Sequence, residues 1–259
     1  MGATKSLCRS EFRIQQPTCG PVGSYVYSSS TMARTRITRL DGDVREHPRY
    51  SIEEAASYLH IPLSTMKAWT RGQRYTSKTG RRVNFQPVLK LADERRGLLS
   101  FYNLAEAHVL RCTRERNVPL RNVRLALDYV RRALPETPHP LLSRDFRTYG
   151  ADVFIQHLGQ TVNATRQGQL AMRKLLGRYL QRLKRNNDGT LLELYPIKTR
   201  HLALNPLISS GKPIVKGTGI NAMVLRDRLR SGEPEQEVAS DYGLTIREVK
   251  EAVQELAAA

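Results

Sequence analysis

The stretch Tyr50-Ser51-Ile52-Glu53-Glu54-Ala55-Ala56-Ser57-Tyr58-Leu59-His60-Ile61-Pro62-Leu63-Ser64-Thr65-Met66-Lys67-Ala68-Trp69-Thr70-Arg71 decides the fold. Ser51 followed three residues later by Glu54 is a capping-box pattern, in which each side chain accepts a hydrogen bond from the other residue's backbone N–H. Ile52, Ala55, Ala56 and Leu59 then recur at helical spacing and give one apolar face. Pro62 disfavours helical dihedrals in the residue before it, so the first helix stops near His60-Ile61-Pro62. The pattern predicts a second short helix from about Leu63 to Thr70, with Met66 and Trp69 inward and Ser64, Thr65, Lys67 and Arg71 outward. Two helices across so tight a turn have the spacing of a helix-turn-helix, whose second helix enters the major groove of duplex DNA. A plain helical hairpin with a solvated polar face is the other reading of these residues.

The next residues favour the first reading. Gly72 to Val83 form a basic loop, and Phe85–Leu91 and Leu98–Phe101 read as strand-like runs separated by Asp93-Glu94-Arg95-Arg96-Gly97. A basic hairpin beside a reading helix is a wing, which makes Arg74, Lys78, Arg81 and Arg82 candidate phosphate contacts. Ser64, Thr65, Lys67 and Arg71 become the candidate contacts to base edges and backbone in the groove. Asn103-Leu104-Ala105-Glu106 reads as a second capping box opening a helix to about Glu115. Pro119 opens another, carrying Val123, Leu127, Val130 and Leu134.

From Tyr50 to about Leu134 the sequence resembles the winged helix-turn-helix of the MerR type. The resemblance rests on Ser51–Ala56, Leu63–Trp69 and Leu99-Ser100-Phe101-Tyr102-Asn103-Leu104-Ala105-Glu106-Ala107. It implies binding to double-stranded DNA, with a wing longer and more basic than usual. Effector or metal sensing does not carry over, because no cysteine set or sensor segment accompanies the motif.

Charge points the same way. The 259 residues carry a net +18, which favours polyanion partners through counterion release. Residues 1–45 contribute +4, 46–140 +8, 141–204 +7 and 205–259 −1, so the last block stands apart. The three cysteines, Cys8, Cys19 and Cys112, lack metal-ligand spacing and do not suggest a disulfide framework. No apolar run has the length of a membrane helix, so the expectation is a cytoplasmic protein without metal or cofactor.

Five segments are expected. Residues 1–45 read as a disordered basic tail, either a working minor-groove arm or, up to residue 31, a stretch ahead of a start at Met32. Residues 46–134 form the winged domain, and 135–140 (Pro-Glu-Thr-Pro-His-Pro) a stiff linker. Residues 141–204 read as a basic α+β module, with a hairpin turning near Gly150, a helix over Gln169–Arg185 and a strand over Leu191–Ile197. Residues 205–259 read as a Gly-punctuated strand and turn followed by three short helices near 221–231, 234–242 and 245–258.

This last block resembles a small helix-turn-helix domain family of prokaryotes, some of whose members are VapB-type antitoxins paired with PIN-domain ribonucleases. Gly211, Pro213, Gly217, Thr218, Ile220, Gly232, Asp241, Tyr242, Leu244 and Thr245 match its pattern, while Gly219 stands where arginine is usual. The resemblance and the near-neutral charge make Thr218, Ile220, Glu235, Asp241 and Tyr242 candidates for partner contact or self-association. The fold expected is mainly α with small β elements. The function expected is that of a DNA-binding antitoxin and autorepressor with a PIN-type toxin partner, acting as a homo-oligomer with a dimer as the expected form. A stand-alone transcription or recombination-directionality factor and an RNA-binding protein are the alternatives. No nucleophile, paired carboxylate or metal spacing suggests an enzyme.

Overall fold

A computed structural model describes residues 42–76, 80, 82–135, 137–161 and 166–257. The expected tail lies outside the described residues up to position 41, as do Lys78 and Arg81. Among the described residues the chain is mainly helical, with two small antiparallel sheets.

Helices α1 (Ile52–Tyr58) and α2 (Leu63–Arg71) stand where the sequence places them. Ser51 and Glu54 form the reciprocal capping box, and His60 takes a left-handed φ of 50° in the turn. A hairpin follows, β1 (Gln73–Thr76) with β2 (Arg82–Phe85), pairing Gln73 with Phe85 and Thr76 with Arg82. It corrects the expected strands: Phe85–Leu91 is strand only at its first residue. Residues 86–89 are instead held as a loop, because the carbonyl of Trp69 accepts from the Val88 and Leu89 N–H groups. Leu98 and Leu99 make only isolated bridges, to Asp93 and Tyr50.

Helix α3 (Phe101–Glu115) begins earlier than the expected capping box. Ser100 is the cap, its hydroxyl accepting from Asn103 N–H while Asn103 Oδ1 accepts from Ser100 N–H. Starting there buries Phe101 completely, which a helix opening at Asn103 would not require. Helix α4 (Leu120–Ala133) follows, its stripe of Val123, Leu127 and Val130 buried as the spacing predicts.

Two further corrections concern the middle of the chain. The hairpin expected over 145–157 is a π-helical turn, Phe146–Gly150, running into α5 (Ala151–Thr161). Phe146, Phe154, Ile155 and Leu158 are buried, and only a helix brings residues with that spacing to one side. Gly150 is there for packing, since a Cβ on it would lie 3.0 Å from the Phe146 ring. The helix expected to reach Arg185 is α6 (Arg166–Leu180). It is followed by β3 (Leu183–Arg185), and the next strand, β4, is only Leu191–Leu194.

Residues on both sides of the 135–140 stretch share one core. A single cluster of buried side chains runs from Tyr50 through Trp69, Leu110, Leu134, Leu141 and Tyr179 to Leu204. The segment itself is anchored: His139 sits between Glu106 (3.0 Å) and Glu46 (3.1 Å) and lies against the Tyr102 ring. Strands β3 and β4 continue into β5 (Leu202–Leu204) and β6 (Pro213–Val215) as one sheet, so a cut at 204/205 falls inside it. Helices α7 (Ala222–Arg230), α8 (Glu235–Tyr242) and α9 (Ile246–Ala257) pack a second small core around Leu225, Val238 and Val249.

The His139 bridge makes a pH dependence. Burial alone lowers its pKa, but the hydrogen bonds and charges of Glu106 and Glu46 more than reverse this and raise it from 6.5 to about 8. The folded-state value is the higher one, so the bridge stabilises fully below pH 6.5 and is lost as pH rises through 8. That difference is worth about 2 kcal/mol. Urea unfolding should show stability falling between pH 6 and 9, and His139→Gln should flatten the fall. An equal fall in the variant would refute the bridge.

Candidate nucleic-acid interface

Helix α2 is held by its inner side. Met66 and Trp69 are buried, which leaves Ser64 and Arg71 exposed and Thr65 and Lys67 half-exposed. Lys67 lies 3.5 Å from the exposed Glu53 of α1, whose carboxyl is held below its usual range chiefly by a backbone hydrogen bond and, to a smaller extent, by that cation. Three of the outward residues, Ser64, Lys67 and Arg71, are three and four apart and share one helix face.

The β1–β2 hairpin is set beside α2 by three anchors. Gly72 ends the helix with φ 76° and ψ −171° and turns the chain directly into β1. Arg124 of α4 donates to the Gln86 carbonyl at 2.6 Å and stacks its guanidinium 4.7 Å over the Phe85 ring. Arg131 donates to the Val88 carbonyl at 2.7 Å. In this register Arg74, Thr76, Arg82 and Asn84 share one face of the hairpin, and all four are exposed. Arg74 and Arg82 are thus presented together, next to Arg71 and Lys67 in sequence and on the same supporting frame. Lys78 and Arg81, expected in the same wing, lie outside the described residues.

A second basic element beside α2 was not singled out from the sequence. Asp93 and Leu98 exchange both backbone hydrogen bonds and close a tight turn, and Asp93 caps Arg96 at N and Nε. Gly97 in that turn lies close to the Arg71 guanidinium. Exposed Arg95 and Arg96 are therefore brought near the C-terminal end of α2. The signal was the run Asp93–Gly97 immediately before a capped helix, read as a separator.

The partner candidates of the C-terminal block lie elsewhere and largely serve their own fold. Thr218 Oγ1 donates to the Val215 carbonyl and accepts from Ile220 N–H, and Ile220 packs on the small core. Glu235 pairs with Lys250 at 2.8 Å. Asp241 accepts from Arg228 at 2.7 Å, and the same guanidinium pairs with Glu233 and lies over the Tyr242 ring. The acidic look of α8 is thus offset internally. Large apolar side chains exposed in this block are Leu207, Val224 and Ile246.

Among the described residues no group of three or more His, Cys, Asp or Glu could hold a metal ion, and no helix is long and apolar enough to cross a membrane.

Residues 48–127 match a family described as "Putative DNA-binding HTH domain", and residues 203–254 match a "Protein of unknown function (DUF433)". The chain is similar to "Putative antitoxin VapB45" of Mycobacterium tuberculosis, 28% identical over 228 residues, covering 82% of this chain and 95% of that protein. It is also similar to "Uncharacterized protein Rv2308" of the same organism, 24% identical over 221 residues, 79% of this chain and 88% of that one. The crystal structure of Rv2018 from Mycobacterium tuberculosis superposes with a TM-score of 0.60 at 26% identity, covering 80% of this chain and 98% of that chain. The matched segment 48–127 contains α1, α2, the hairpin, α3 and the first half of α4, so these are the elements of the chain that match a putative DNA-binding helix-turn-helix domain.

Proposed function

We propose that this chain is a sequence-specific DNA-binding regulator of the antitoxin type. In this reading α2 reads a major groove through Ser64, Thr65, Lys67 and Arg71, while the β1–β2 hairpin acts as a MerR-like wing whose Arg74 and Arg82 hold phosphates. The observation that carries it is the exposed polar face of α2 beside a rigidly anchored, cationic hairpin. Arg95 and Arg96 add phosphate contacts at the other end of the helix. The C-terminal three-helix block serves protein contact, through a PIN-type ribonuclease partner or a second copy of the chain. The similarity to a protein named as an antitoxin supports that role. No catalytic step is assigned to the chain.

The partner half is tested by growth. The open reading frame adjacent to this gene, expressed alone, should arrest growth, and co-expression of the full chain should restore it and yield a complex that co-purifies. A chain that binds its upstream DNA while leaving that arrest untouched would be a stand-alone regulator. The full chain is needed here, because truncation after Leu204 removes β6 and uncovers Leu202 and Leu204.

A further inference from the structure

Helix α6 belongs to neither matched segment, and its outer face is basic. Leu170, Arg173, Lys174, Gly177 and Gln181 fall on one arc of the helix, with Arg178 at its edge, while Met172, Leu175, Leu176 and Tyr179 fill the opposite side. Arg173 pairs with Asp152 at 2.8 Å, and Arg178 lies 4.0 Å from Glu115. Lys174 has no ion pair among the described residues.

Gly177 sits in the middle of that arc. A Cβ added there would meet nothing within 4 Å, so no neighbour inside the molecule requires glycine. Glycine in a helix interior destabilises relative to alanine, and its use where the interior has no need of it suits close approach of a bulky ligand from outside.

The face is also continuous with the proposed reading site. Tyr179 donates to Glu115 at the end of α3, and Arg178 faces the same carboxylate. The adjacent Arg114 lines, with Ser64 and Thr65, the groove beside the start of α2. Arg114 and Arg116 are exposed and have no ion pair among the described residues. Arg114 beside α2 and Arg178 beside Glu115 thus join the two faces through the end of α3, with Lys174 one helical turn from Arg178.

We propose that the outer face of α6, through Lys174 and Arg178 around Gly177, is a second duplex-DNA surface that takes phosphates flanking the segment read by α2. It rests on the reading of α2 as the DNA-reading helix. An acidic protein would also suit these cations, but the continuity with Arg114 and the α2 groove favours the duplex, whose backbone carries evenly spaced charge.

The test uses the full chain and two duplexes from the DNA upstream of its own gene. One is trimmed to the segment that α2 protects, and the other is extended by about ten base pairs, one helical turn, on each side. Fluorescence anisotropy should show tighter binding to the long duplex. Lys174→Ala with Arg178→Ala should weaken the long complex roughly tenfold and lower its salt slope by about 1.8, for two lost phosphate contacts. The short complex should be unchanged. Gly177→Ala should raise the thermal midpoint while weakening the long complex, a pairing of signs that a purely structural role cannot give. Equal affinity of variants and parent for the long duplex would overturn the proposal, and would leave the face to solvent or to an acidic protein. Loss of operator preference with the length effect retained would instead overturn the reading of α2 and keep the α6 surface.

Discussion

Gly72→Ala should cost roughly 3–5 kcal/mol of stability, a combination of backbone strain and backbone clash. Its φ of 76° with ψ of −171° is a conformation that only glycine adopts readily. A Cβ there would also press into the Phe85 carbonyl oxygen and sit 3.3 Å from Pro87 N, and neither is the end of a flexible side chain. Relief requires the hairpin to move away from α2, so Arg74 and Arg82 leave their places and DNA affinity falls together with stability. Gly243→Ala is the control, because its φ of 63° gives strain alone with nothing within 4 Å of the added methyl. That variant should lose only about 1 kcal/mol and keep its DNA affinity. Urea titration of both proteins measures the difference, and equal losses would mean that the hairpin is not pinned at Gly72.

The helix-turn-helix was legible because its signals are local. A capping box, a proline stop and an apolar repeat lie within 22 residues, and α1 and α2 form where they indicate. The start of α3 was misread for a reason of the same kind. Two overlapping three-residue-spaced patterns compete there, Ser100 with Asn103 and Asn103 with Glu106, and burial of Phe101 decides between them. That frees Glu106 for His139, a contact no local pattern contains.

Where a signal is purely long-range, sequence reading had no hold. Gly150 looked like a turn and is in fact a space for the Phe146 ring. Gly211 matched a family pattern without a visible cause; its carbonyl accepts from the Tyr50 hydroxyl, 161 residues away, and a Cβ on it would collide with that oxygen. Thr218 and Asp241 are partner-contact candidates by resemblance and Glu235 by the acidic charge of its helix, and only the folded block shows that their polar atoms also bond within it. The 93–97 turn was seen as a separator, because its nearness to Arg71 appears only once α2 and the turn are packed together.

In the proposed function α2 specifies sequence and the hairpin supplies attraction. Lys67 and Arg71 are four residues apart on the outward face of α2, within reach of one groove. A direct base contact is worth about 1–3 kcal/mol of discrimination, whereas a phosphate contact changes all sequences about equally. Arg74 and Arg82, exposed on one face of the hairpin, fall in the second class. The most direct measurement is the operator-to-random affinity ratio, taken by fluorescence anisotropy across a salt series for each variant. Lys67→Ala or Arg71→Ala should shrink that ratio by roughly 5- to 100-fold with little loss on random DNA. Arg74→Ala with Arg82→Ala should leave the ratio nearly constant, weaken both duplexes and lower the salt slope by about 0.9 per lost contact. If the two classes of variant cut operator and random affinities by the same factor, α2 is not the helix that reads the sequence.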